Sequence, residues 1–369
     1  MTLPKGVNWT LFLLLAIILI SAGVWYAIKP AVESVKKAAV NMETITVIVG
    51  GDVNLGRQTG KKIIAGEIDY PFAKIADTLK SADITFVNLE SQLADLGGET
   101  QSPTSEYRFA GPPEGAQSLA NAGIDIVSLA NNHMWDYGKA RLEETMKALT
   151  AMNVKYVGAN MDTEKVWEPV ITEIKGKKIA WLAMTNLLNG YENAGADKYV
   201  AFQNGSKLIE EIQKVKDSVD WVFVSLHSGA EYVENPSATL VKMSQELIDA
   251  GADVILAGHP HVPQRIEQYT AGSSNLSHAD DNQGSPSFAK ASEGQRVGII
   301  FYSLGNFAFW QPFSFWTQNS FLAKFTLTKP HEVAYEIIPV KAGWQPELLT
   351  DEKMIEQLYS RLNPVSPSP

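Results

Sequence analysis

An α/β fold is predicted for this chain by three observations. Apolar strand-like runs alternate with amphipathic stretches from residue 44 onward: TITVIVG (44–50), FAKIADTLKSA (72–82), DITFVNLE (83–90), EGAQSLANAG (114–123), IDIVSLA (124–130) and ARLEETMKALTAM (140–152). Later strand-like runs follow one another with little helix between them, which implies a mixed or antiparallel sheet. Polar residues also stand repeatedly just past the carboxyl end of an apolar run, where open α/β sheets place their ligands.

The later elements read in order. PVITEIKGKKIAWLAMT (169–185) is two strands around a Lys-Gly-Lys-Lys turn. WVFVSLH (221–227), SQELIDAGA (244–252) and DVILAGH (253–259) restore a strand, helix, strand order. RVGIIFYSLGNF (296–307), FLAKFTLTK (321–329) and VAYEIIPVK (333–341) are strands.

With 369 residues, 45% of them hydrophobic, the chain can bury a large core. Lys plus Arg total 31 against 41 Asp plus Glu, a formal net charge of −10, and no basic block is present to neutralise a run of phosphates. Nucleic acid is therefore not expected as a partner. The absence of cysteine excludes a disulfide framework, a thiolate zinc site and a cysteine nucleophile.

Residues 8–28, NWTLFLLLAIILISAGVWYAI, carry no charge and match the length that crosses a hydrocarbon core of roughly 30 Å. An uncleaved membrane anchor over residues 1–28 is the first reading, supported by Trp25 and Tyr26 at an interfacial position. A cleaved signal peptide, with ISAG imitating a cleavage site, and a buried core helix are the alternatives. Residues 29–43 form a stalk, 44–345 the main domain, and 346–369 a C-terminal helix and tail. Within the main domain, residues 271–295 are rich in Ser, Gly, Ala and Asn and read as a disordered surface insertion between adjacent strands. His278 lies inside that insertion and reads as solvated.

Five strand ends carry polar residues. Asp52 and Asn54 follow VIVGG, where a plain Gly-Gly-Asp turn is the bland alternative. Asn88 and Glu90 follow ITFV, two apart, and share a face if the strand continues. Asn131, Asn132, His133 and Asp136 follow IDIVSL; an Asx-type turn with Asp136 capping the next helix accounts for the aspartate and one asparagine, but not for the second asparagine and the histidine. His227 ends WVFVSLH, with Glu231 and Tyr232 shortly beyond. His259 and His261 flank Pro260, and in extended chain such an i, i+2 pair points one way. Of the six histidines, only His278 and His331 stand away from these ends. Imidazoles, carboxylates and amide oxygens together suit a divalent ion such as Zn, Mn or Fe. With this many candidates, two ions sharing a carboxylate are expected, an arrangement that clamps a phosphoryl oxygen and activates water.

The motifs GGDVNLGR, NLES, EYRFAGPP, AGIDIVSLANNHMWDYG, HSGAEY, GADVILAGHPHVPQ and YSLGNF, in order between about residues 45 and 309, resemble the CapA family of poly-γ-glutamate capsule synthesis. The resemblance implies a calcineurin-type metallophosphatase domain, a four-layer α/β/β/α sandwich, with metals at the strand ends. It implies Asp52, Glu90 and His261 on one ion, Glu90, Asn132, His227 and His259 on the other, and His133 as general acid. Asn54, Asn88, Glu231, Tyr232 and Asn306 complete the pocket. The chain departs from the wider pattern at Asn54, where the superfamily has histidine, and at Ser228, where the family usually has tryptophan. The expected function is that of a membrane-anchored, extracytoplasmic protein acting on or exporting an anionic polymer such as poly-γ-glutamate, by metal-dependent hydrolysis and beside other synthase subunits. A non-catalytic scaffold subunit and a phosphodiesterase unrelated to capsule are the alternatives.

Overall fold

The computed structural model describes residues 44–273 and 296–362. The expected anchor, the stalk, nearly all of the insertion and the last tail residues lie outside the described residues. Among the described residues, no helix is long and apolar enough to cross a membrane.

The first half supplies β1 (Ile45–Val53), α1 (Arg57–Ile64), α2 (Ala76–Leu79), β2 (Ile84–Leu89), β3 (Gln92–Leu93), β4 (Gln101–Ser102), β5 (Ser105–Gly111), α3 (Gly115–Asn121), β6 (Ile126–Ser128), α4 (Gly138–Ala151) and β7 (Lys155–Val157). The second half supplies β8 (Val170–Ile174), β9 (Lys177–Thr185), α5 (Gly205–Val215), β10 (Trp221–His227), α6 (Ala238–Ala250), β11 (Val254–Gly258), β12 (Ile266–Thr270) and β13 (Val297–Phe301). The chain then returns through β14 (Asn319–Leu327), β15 (Val333–Lys341), β16 (Glu347–Leu348) and α7 (Glu352–Leu362).

These strands make a mixed α/β structure with several sheets. A seven-stranded sheet has the order β16-β15-β14-β1-β2-β6-β7, a six-stranded sheet the order β12-β13-β11-β10-β9-β8, and β3, β5 and β4 form a small third sheet. Strands β1, β2, β6 and β7 are parallel, whereas β14, β15 and β16 pair antiparallel. In the second sheet β9, β10, β11 and β13 are parallel and the edge strands β8 and β12 antiparallel. The β8–β9 turn falls at Lys175 and Gly176, both at positive φ (52° and 75°), the conformation that matches strand twist in a tight hairpin.

Each large sheet buries one face under helices. Ile48, Val87 and Val127 pack with Leu119 of α3 and Leu142, Met146 and Leu149 of α4. Val222, Val224 and Ile255 pack with Leu208 and Ile212 of α5 and with Leu240 and Leu247 of α6. Aromatic rings join the sheets: Phe86 stacks on Trp181 at 5.1 Å, Trp181 meets Phe223 at 4.9 Å, and Phe223 meets Phe325 at 5.4 Å. Each such buried ring contributes ~2 kcal/mol of transfer free energy. Trp181 keeps its indole satisfied by donating to Thr172 Oγ1 at 2.9 Å.

Two expected elements are shorter than their patterns. The 72–82 stretch holds only the four-residue α2, preceded by a 3-10 turn at Tyr70–Phe72. Phe72, Ile75 and Leu79 still reach the core, and the Leu79 carbonyl at the helix end accepts from Thr85 Oγ1 at 3.0 Å. The 124–130 run is regular strand only over β6, with Asp125 N–H on Thr85 O and Leu129 N–H on Val157 O extending its backbone pairing by one residue at each end.

Candidate metal centre

The centre begins with a defect in β1. The β1–β2 register shifts between Val49 and Asp52, at the two glycines. A Cβ on Gly51 would lie 1.9 Å from the Gly305 carbonyl, so only glycine allows this approach. Asp52 N–H donates to Gly305 O at 3.0 Å and Asp52 O accepts from Phe307 N–H at 2.9 Å, locking the buried aspartate against the 303–307 loop.

Glu90 is the hub. Its backbone N–H is held by Val53 O at 2.8 Å and its side chain is fully buried. Oε1 has no hydrogen-bond partner. Around it stand three imidazole Nε2 atoms: His227 at 3.6 Å, His261 at 3.8 Å and His133 at 3.9 Å. Asn88 donates to Asp52 Oδ1 at 2.8 Å and lies 3.4 Å from Glu90 Oε2, so the two residues of β2's end converge as the i, i+2 spacing suggested.

The 129–138 stretch divides its labour. Asn131 forms the expected Asx-type turn, accepting from His133 N–H at 3.1 Å, and its amide donates to Asn88 Oδ1 and Leu89 O. Asn132 Oδ1 lies 2.8 Å from His227 Nε2. Asp136 does not cap the next helix: Tyr137 occupies that position with no side-chain cap, and the Asp136 carboxylate instead meets His133 Nδ1 at 2.9 Å and Phe109 N–H at 3.2 Å. A partner for a histidine was read as a helix cap because both uses look alike in sequence.

His259 and His261 do not lie in extended chain either. Both have positive φ, 99° and 59°, and the loop after β11 turns the two rings to 5.9 Å apart. Such backbone in non-glycine residues costs on the order of 1–3 kcal/mol and collects at functional sites. His259 N–H points toward Asp52 Oδ2 at 3.4 Å. Asn306 gives both amide hydrogens to Gln311 Oε1 and Thr317 O, so its oxygen faces His261 Nδ1 at 2.9 Å and leaves Nε2 turned toward Glu90.

The remaining candidates sit at the edge. Glu231 is exposed, yet its Oε1 reaches within 3.9 Å of His261 Nε2. Tyr232 lies 6.1 Å from the His261 ring with its N–H on Pro260 O. Asn54 is buried but faces elsewhere: its oxygen accepts from Gly56 N–H at 2.8 Å and its amide nitrogen has no partner. Sequence reading also missed Arg361 of α7. That side chain donates to Pro263 O at 2.6 Å, pairs with Glu234 at 3.0 Å and covers the Trp316 ring at 4.5 Å, clamping three loops around the centre.

The electrostatics suit a cation. Burial pushes His227 down to about 3 and His259 down to about 2, so both are neutral ligands near pH 7. Burial works to raise Asp52, but the hydrogen bond and charge of His261, with His227 and Asn88, bring it to about 2. Burial and the neighbouring Asp52 push Glu90 well above the usual carboxylate range. A buried carboxylate disfavoured in this way calls for positive charge. Glu90, His227 and His259 offer ligand atoms within 4.8 Å of one another, as do Asp52, Glu90 and His261, and Glu231, His259 and His261. With Glu90 Oε1 and His259 Nδ1 buried and unpaired, the residues fit a divalent ion.

Fold and site thus define an α/β protein with a buried histidine–carboxylate centre at the strand ends of two sheets. The chain belongs to the family described as Bacterial capsule synthesis protein PGA_cap, which matches residues 46–311. The resemblance to CapA proteins is borne out by relatives. The chain is 29% identical over 333 residues to Capsule biosynthesis protein CapA of Bacillus anthracis, covering 89% of this chain and 74% of that protein. It is 24% identical over 310 residues to PGA biosynthesis protein CapA of Bacillus subtilis, covering 84% and 74%. It is also 24% identical over 280 residues to a probable polyglutamine synthesis accessory protein of Mycobacterium tuberculosis, covering 63% and 72%. A solved putative 5'-nucleotidase from Staphylococcus aureus aligns over 86% of this chain and 58% of that one at 12% identity and a TM-score of 0.43, too loosely to carry an argument.

Proposed function

We propose that this chain is a metal-dependent hydrolase of metallophosphatase type that serves capsule or poly-γ-glutamate synthesis or export, held to the membrane by residues 1–28 beside other synthase subunits. The observation that carries the hydrolytic reading is Glu90 Oε1, buried, unpaired and ringed by three imidazole nitrogens at 3.6–3.9 Å. Asp52, Glu90 and His261 would hold one ion, and Glu90, Asn132, His227 and His259 a second. A bound divalent ion supplies Lewis acidity toward a phosphoryl or carbonyl oxygen.

The chain's own residues supply the rest. The Asp136 carboxylate accepts a hydrogen bond from His133 Nδ1–H, which fixes the tautomer and orientation of the ring. His133 Nε2 then faces the centre, placed to give a proton to a leaving group. Phe109 covers the ring at 4.2 Å and excludes water from that side.

The test is metal analysis of the full chain, with hydrolysis of phosphodiester and γ-glutamyl substrates under Mn or Zn. About two ions per chain and loss of turnover with retained metal in His133→Ala support the proposal. A chain that binds metal but turns over nothing is the scaffold subunit instead.

A further inference from the structure

Arg57 stands at the mouth of the centre and has no assigned role. Its backbone is at φ 51°, held by Arg57 N–H on Thr100 O and Thr100 Oγ1 on Arg57 O, each at 2.8 Å. A non-glycine residue in that conformation persists where its surroundings fix it. The guanidinium lies 4.7 Å from the Phe109 ring centre and 5.7 Å from that of Phe309. Those two rings carry the centre's imidazoles, Phe109 against His133 at 4.2 Å and Phe309 against His261 at 5.2 Å. A phenylalanine shelf therefore places one cation beside both the candidate general acid, His133, and one candidate metal ligand, His261.

The cation is underused. Nη2 donates to Glu106 O at 2.9 Å, Nε is buried without a partner, and Nη1 makes no hydrogen bond among the described residues. Among the described residues no carboxylate pairs with this half-buried guanidinium, although arginines withdrawn from water are ordinarily paired. The neighbouring Arg108 is already committed, donating twice to Asp136 O. Burial works against the Arg57 charge, and the carboxylates of Glu106 and Glu90 favour it. The chain carries a net charge of −10, so an anionic substrate must be met by a local cation.

We propose that Arg57 is the oxyanion anchor of this centre, taking by its planar fork a carboxylate or phosphate group that the substrate carries beside the reacting bond. This deepens the hydrolase reading and rests on it for the position of the reacting bond. The two phenylalanine rings confine the guanidinium, and a confined fork recognises a two-oxygen anion better than a point charge does.

The experiment uses the full chain in detergent, loaded with Mn, with inorganic phosphate and glutarate as probes. Calorimetry gives affinities and atomic emission gives metal content. Arg57→Gln is expected to keep its metal and to weaken one probe by about 10- to 100-fold. Loss confined to phosphate points to a phosphoester, and loss confined to glutarate to a carboxylate-bearing polymer. Wild-type affinity of Arg57→Gln for both probes overturns the proposal, as does a wild type that binds neither. Should that variant fail to fold, Arg57→Lys keeps the charge without the fork and is expected to lose about 3- to 10-fold; undiminished affinity for both probes in it is equally fatal. A wild type without metal that still binds a probe through Arg57 sinks the metal-hydrolase reading alone, and full metal with Arg57-independent binding sinks this one alone.

Discussion

His133 Nδ1 and Asp136 Oδ2 lie 2.9 Å apart, both side chains buried, three residues apart in sequence and outside any regular helix. The carboxylate also takes the Phe109 N–H, so it is fixed from the small third sheet as well as from its own loop. Asp136→Asn keeps the shape but loses the carboxylate that fixes the His133 tautomer. Turnover is expected to fall on the order of 100-fold or more, with metal content unchanged. Steady-state kinetics alongside metal analysis checks this; an unaffected kcat would remove the pair from the mechanism.

Stripping the metal exposes the cost of the hub. A ligand at 100 times its Kd adds ~2.7 kcal/mol to stability, so chelation is expected to lower Tm and added Mn or Zn to restore it. Glu90→Gln removes the carboxylate shared by two of the candidate groups. Its Tm is expected to be insensitive to chelator, and scanning calorimetry with and without chelator decides the matter.

Gly51→Ala is a test of the β1 defect. The new methyl would meet the Gly305 carbonyl at 1.9 Å, and backbone cannot swing aside as a side chain can. A loss of ~3 kcal/mol, the upper end of overpacking costs, is expected in denaturant unfolding, together with weaker metal retention because Asp52 must move. Wild-type stability would mean that the 303–307 loop yields freely.

A pH dependence is expected far from the centre. Asp83 accepts from Thr46 N–H at 2.8 Å and Thr46 Oγ1 at 2.9 Å, and pairs with Lys175 at 2.8 Å. Burial works to raise its pKa, but Lys175 and Thr46 outweigh it and hold the carboxyl below its ordinary 3.8. A depressed folded value means stability that is present above the unfolded pKa and lost as pH falls through the folded one. The Tm gap between wild type and Asp83→Asn is therefore expected to be constant above about pH 5 and to close below about pH 4. A gap that persists at pH 2 contradicts it.

The strand ends were legible because an apolar run that stops on Asp, Glu, Asn or His is hard to build as core. Asp52, Glu90, Asn132, His133, His227, His259 and His261 were all reached in that way, and the structure brings their side chains together. Asn54 was read as completing the pocket, since nothing local says that its oxygen is taken by Gly56 N–H. The positive φ of His259 and His261 was invisible because the loop is held by distant partners such as Asn306. Arg57 and Arg361 were missed for the same reason: their meaning lies in rings and carbonyls far along the chain. The mixed sheet was readable from strand spacing, whereas the restriction of the 72–82 helix to Ala76–Leu79 is not visible in local periodicity.

The bonds between Asp52 and the 303–307 loop, with the Arg361 clamp, also set an order of events in biosynthesis. Every candidate ligand lies between residues 52 and 261, yet the partners of the Asp52 backbone arrive only with residues 305 and 307, and the clamp with residue 361. A chain emerging N-terminus first thus delivers all its imidazoles and carboxylates before the frame that orients them. A divalent ion held by these residues would then be captured late in maturation, from whichever ion is abundant where the C-terminal part finishes folding.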